Sequence, residues 1–119
     1  MTVTPTDLAA TLRRRFGAEL AREADRRAEV RGLLDRIVAE LDLPAGCRLR
    51  LIGSLLGEGW GERSDIDLVV EGLDRESEAA LWRRLSSSLP VPVELLRLEE
   101  LTEGFRRRVL AEGVVLGEP

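Results

Sequence analysis

Two short clusters of this sequence carry residue types capable of chemistry together. Gly53-Ser54 stands at the exit of an apolar run, and after a ten-residue spacer comes Asp65-Ile66-Asp67 at the head of a second apolar run. Side chains of a strand alternate between its two faces, so Asp65 and Asp67 point one way while Ile66, Leu68 and Val70 point the other. Carboxylates two residues apart on one side of a strand stand roughly 6–7 Å from each other. They repel unless a cation sits between them. Magnesium suits the place, since it is a hard ion that takes oxygen ligands and is often held by one or two carboxylates plus substrate phosphates. Taken alone, Asp-x-Asp is also what a strand beginning in water looks like. Gly53-Ser54 narrows the choice, because glycine permits a tight turn and serine offers a phosphate both a hydroxyl and an amide. From ordinary residue frequencies, the two clusters at one fixed spacing arise by chance in about one chain in a thousand.

The composition restricts what else is possible. All 18 cations are arginine, and the chain has no Lys, His, Asn, Gln or Tyr. Without lysine there is no P-loop lysine and no Schiff base; without histidine there is no Ser-His-Asp triad and no imidazole base. Any catalysis must therefore run on carboxylates, hydroxyls, arginine and backbone amides, with or without a metal. A net charge of −4 argues against a dedicated nucleic-acid binder. Cys47 is a lone thiol, which builds neither a disulfide framework nor a zinc site and points to a reducing, cytoplasmic setting. No apolar stretch has the length of a membrane span, and no signal sequence is evident at the N-terminus.

Several elements must position the two clusters. Thr4-Pro5-Thr6-Asp7 reads as a helix start. Leu8, Leu12, Phe16 and Leu20, then Val30, Leu33, Leu34, Ile37, Val38 and Leu41, extend a helical stripe towards Pro44. That is long for one globular helix, so a break or bend is expected near Gly17. Strands are expected over Arg48–Ile52, Asp65–Glu71 and Val93–Leu98, and a short edge strand over Val114–Leu116. One helix should start after a cap at Asp74 and run to Ser88; another should carry Leu101, Phe105, Val109 and Leu110 and stop at Gly113. The order predicts an α/β or α+β fold, a small mixed sheet flanked by helices, with residues 1–45 as an N-terminal helical segment and 46–119 as the core of a single domain. Trp82 is expected in the core and Cys47 as a small buried residue. Trp60 either stacks on a base or pins the glycine loop at 57–61, and Arg106-Arg107-Arg108 reads as a solvated face or a docking contact.

Gly53-Ser54 and Ser64-Asp65-Ile66-Asp67-Leu68-Val69-Val70 resemble the signature of the nucleotidyltransferase superfamily, in particular its minimal bacterial members, with similarity over residues 48–116. The resemblance implies a third acid that completes a metal triad, at a position matched by Glu94, with Glu71 and Glu99 as competitors. It implies two magnesium ions on Asp65, Asp67 and Glu94, a nucleoside triphosphate (ATP above all) held by Gly53, Ser54, Ser64 and Arg63, and transfer of AMP to a hydroxyl. Minimal members work with a separately encoded HEPN-type toxin, as its antitoxin. The first expectation is thus a magnesium-dependent adenylyltransferase; the alternative is a non-catalytic module that acts by binding its partner alone, and self-association through the N-terminal helix is open. The spacer departs from the family pattern: Leu55-Leu56-Gly57-Glu58 stands where the family carries an arginine thought to help bind the triphosphate.

Overall fold

The computed structural model describes residues 5–56, 60–61 and 64–117. Four strands form one mixed sheet in the order β3-β2-β1-β4. β1 (Arg48–Ile52) pairs antiparallel with both β2 (Ile66–Glu71) and the short edge strand β4 (Val114–Leu116), while β3 (Val93–Arg97) lies parallel to β2. Parallel neighbours need a crossover, and α2 (Arg75–Ser88) supplies it. Its first turn is capped as expected: the Asp74 carboxylate accepts from the Ser77 N–H at 2.7 Å. α3 (Glu103–Glu112) is capped by the Thr102 hydroxyl and ends at Gly113. The expected mixed α+β architecture is the one observed.

Alternation divides the sheet into two chemically different faces. Leu49, Leu51, Ile66, Leu68 and Val70 are sealed on one face against Val30, Leu34 and Val38 of α1 (Pro5–Glu40) and Leu81 and Leu85 of α2. Each such side chain, fully withdrawn from water, stabilises the fold by about 2 kcal/mol. The opposite face is smaller: Val69 packs with Val109 of α3 and Leu98, and Ile52, Leu96 and Leu101 border them. This face also carries Arg50, which is 6% exposed and donates to Glu71 at 3.0 Å.

The expected break at Gly17 is absent. α1 is one unbroken helix of 36 residues. Nothing lies within 4 Å of the place a Gly17 side chain would occupy, so no packing force bends the chain there. The cost of one glycine, about 1 kcal/mol, is offset by the good helix formers (Ala, Leu, Glu and Arg) around it. Only the C-terminal part of α1 is sealed against the sheet. Leu8, Leu12, Phe16 and Leu20 remain exposed, Leu20 by 66%. Their spacing continues the stripe of Val30, Leu34 and Val38, so the core-facing stripe of α1 extends beyond the body of the domain. The radius of gyration is accordingly 18.6 Å, against about 13.5 Å for a compact chain of this length. The Thr4 cap lies outside the described residues.

Two further expectations need correction. Trp82 is 46% exposed, because Leu81 and Leu85 occupy the buried face of α2 and leave the indole on its rim; Nε1 donates to the Val93 carbonyl at 2.8 Å and staples the helix to β3. Cys47 is half-buried rather than sealed. Burial, then the negative charges of Glu71 and Glu99, push its thiol up from the ordinary value. Since the thiolate is the nucleophile, alkylation of Cys47 by iodoacetamide at pH 8 should run slower than that of free cysteine. A rate equal to or above the free thiol's would contradict this environment.

Candidate active site

β1 ends at Ile52, and the chain turns on Gly53, whose φ of +80° is a conformation that glycine adopts without strain. Ser54 then opens a single 3-10 turn, Ser54–Leu56, closed by the Leu56 N–H on the Gly53 carbonyl at 3.2 Å. Ile52 is in register with Asp67 on β2, and Asp67 is in register with Glu94 on β3. A side chain on Gly53 would put its first carbon 2.5 Å from Oδ2 of Asp67. The bare glycine therefore does two things: it allows the turn, and it leaves room for the Asp67 carboxylate beside Ser54.

Asp67 is half-buried, Glu94 and Asp65 are exposed, and alternation puts Asp67 and Glu94 on the α3 side of the sheet, opposite Ile66 and Leu68, while β2 begins at Ile66 and leaves Asp65 just before it rather than inside it as expected. Burial raises the Asp67 carboxyl above its ordinary range, and the adjacent Glu94 and then Asp65 add to the rise. Three hard oxygen donors that repel one another suit a divalent cation chemically, and the space left by Gly53 keeps Asp67 accessible to one. As the side chains stand, no group of three or more acids, cysteines or histidines among the described residues is arranged as a metal site. Asp67 and Glu94 form the close pair, with Asp65 at the entry to β2.

The competing acids are engaged elsewhere. Glu71 is tied to Arg50. Glu99 accepts from the Gly72 N–H at 2.7 Å; burial pushes its carboxyl up, but that hydrogen bond, its own backbone amide, Arg97 and Arg106 outweigh burial and hold it below the ordinary value. Ser64 is occupied as well: its hydroxyl accepts from the Gly61 N–H at 2.9 Å and its own N–H donates to the Gly61 carbonyl, closing the loop that delivers Asp65. Trp60 is buried in the core beside this loop, which favours pinning over base stacking. Arg63 and residues 57–59 lie outside the described residues.

A cavity of about 650 Å³ opens between the Gly53-Ser54 turn and α3, lined by Ile52, Gly53, Ser54, Leu56, Phe105, Arg108, Val109 and Glu112. From the sequence the three arginines of α3 read together as a solvated face or a docking contact. The fold separates them. Arg106 donates to the carbonyls of Leu98, Glu99 and Leu101 and fastens α3 to the turn before it. Arg107 pairs with Glu103 at 2.6 Å, and Arg108 alone of the three lines the cavity.

No protein-family model matches the chain, and no curated protein matches it. Among solved structures, a chain in a crystal structure of a toxin-antitoxin with AMP-PNP superposes with a TM-score of 0.57 at 23% sequence identity, covering 71% of this chain and 69% of that one. What the two share is the fold. The arrangement here is a small mixed sheet with a Gly-Ser turn at the end of one strand and an Asp-x-Asp at the entry to its neighbour. No described helix is long and apolar enough to cross a membrane.

Proposed function

We propose that the chain is a magnesium-dependent nucleotidyltransferase that moves AMP from ATP to a hydroxyl on a toxin partner, of HEPN type, and so serves as the antitoxin of the pair. One observation carries the reading: Asp67 lies against a glycine with no side chain, beside Ser54 and in register with Glu94. A purely structural sheet gains nothing from repelling acids gathered at a side-chain-free turn. The similarity of fold to a chain crystallised as a toxin-antitoxin with AMP-PNP supports both the nucleotide and the protein partner.

In this reading Asp65, Asp67 and Glu94 would hold the magnesium, which would neutralise phosphate charge and lower the pKa of the acceptor hydroxyl. Ser54 and the backbone at Gly53 hold the terminal phosphates. Glu94, the most accessible acid of the pair, takes the acceptor proton. The acceptor oxygen forms a bond to the α-phosphorus as the bond to the β-phosphate oxygen breaks, and pyrophosphate leaves. Positioning and preorganised charge do most of the work in such transfers, which suits a chain without histidine.

The apolar stripe Leu8, Leu12, Phe16 and Leu20 on the projecting part of α1 favours a second reading, in which the chain neutralises its partner by contact alone. One experiment separates the two. The chain is incubated with ATP labelled on the α-phosphate and magnesium, with and without the product of the neighbouring gene. Label on the partner, lost with Asp65→Asn, is the expected result. A tight complex that forms without label, and equally with Asp65→Asn, would leave only the binding reading.

A further inference from the structure

A triphosphate needs a cation beyond its metal, and the region that would receive it is rich in acids. Among the described residues lining the cavity at the Gly53-Ser54 turn, Arg108 is the only positive group. Arg50, on the same face of the sheet, is buried and paired with Glu71. Arg106 is spent on three carbonyls and Arg107 on a short pair. Arg108 differs from both. Its partner is Glu112 at 3.8 Å, and the two side chains are 74% and 70% exposed. So loose and solvated a pair holds its guanidinium weakly. Both members line the cavity, and Ser54 lines it too.

We infer that Arg108 is the residue that grips the terminal phosphates of the nucleotide, exchanging Glu112 for the more highly charged triphosphate. The inference rests on the nucleotidyl-transfer reading and adds to it a discriminating residue from α3, outside the Gly-Ser and Asp-x-Asp clusters. A guanidinium matches phosphate oxygens through paired N–H donors, and such charge-assisted bonds are among the stronger ones available. Glu112 then acts as a competitor for the same group. Removing it should strengthen nucleotide binding, whereas a merely structural pair would weaken the helix from either side.

The test is calorimetric titration of the full chain, in magnesium, with ATP and with AMP. Arg108→Ala should weaken ATP about tenfold and leave AMP within about twofold of the unchanged chain, while Glu112→Ala tightens ATP. Arg108→Lys should recover part of the loss, and Arg107→Ala should change neither ligand. ATP bound equally well by the unchanged chain and by Arg108→Ala would overturn the role of Arg108 and leave nucleotidyl transfer standing. Equal losses for ATP and AMP would also overturn it, since the terminal phosphates would then not be what Arg108 reads. If the unchanged chain binds neither nucleotide, the transferase reading falls and this inference falls with it.

Discussion

Asp67→Asn is expected to slow the proposed nucleotidyl transfer by about 10²- to 10³-fold and to raise the melting temperature in the same protein. The first effect follows from the role proposed for the carboxylate. Removing one preorganised charge from such a site typically costs a factor of about 10² to 10³ in rate. The second follows from the fold itself. Asp67 is half-buried, stands opposite Glu94 across β2 and β3, and feels Asp65 as well. Like charges opposite one another on neighbouring strands destabilise by a few tenths to about 1 kcal/mol. Asparagine keeps the shape and removes the repulsion, so in metal-free buffer the midpoint should rise by about 2–5 °C. Label transfer and a thermal melt in chelator would be measured side by side. Undiminished transfer would remove Asp67 from the chemistry, and a lowered midpoint would mean that its carboxylate supports the fold instead of straining it.

The second large effect concerns stability alone. Leu34 is 0% exposed and packs α1 onto the sheet. Leu34→Ala should cost about 3 kcal/mol, the usual penalty for a buried leucine whose surroundings cannot collapse into the gap, and lower the midpoint by roughly 10–15 °C. Leu12 is the same residue type in the same helix, yet it lies in the uncovered part. Leu12→Ala should leave folding within about 0.5 kcal/mol of the original and weaken any complex made through the projecting helix. Denaturation midpoints and partner affinity, measured for both variants, would test this division. Similar losses of stability would mean that the N-terminal part of α1 folds back on the domain.

How far the sequence could be read depended on how local each determinant was. The strands, the Asp74 cap and the stop at Gly113 follow from alternation and capping within a few residues, and they were legible. The sidedness of Asp67 was also legible, because strand alternation fixes it without any partner, whereas Asp65 falls just before the strand. Glu94 came from family resemblance, and its register with Asp67 needed the pairing of β2 with β3. The straightness of α1 was misjudged because a helix outside the core is limited by propensity and not by the width of the domain it serves. Trp82 was misplaced for a related reason: an apolar residue one step from a buried stripe can finish on its rim. The Arg50–Glu71 pair and the separate fates of Arg106, Arg107 and Arg108 depend on contacts between distant segments. No periodicity within α3 could reveal which of its arginines meets the Gly53-Ser54 turn.

The two unlike faces of the sheet carry a genetic consequence. Asp67, Glu94, Ser54 and Arg108 belong to the side of α3, whereas α1 joins the sheet from the other side and carries its uncovered leucines beyond it. A backbone layer divides the two groups, so a change in one group has few packed side chains through which to disturb the other. If the proposed function holds, mutations should therefore sort into separable alleles: some that dock and fail to modify, others that modify weakly for want of docking. Supplied together in one cell, two such defective copies would not restore each other if docking and chemistry must occur within a single molecule, and would do so if a second copy can act on a partner already held.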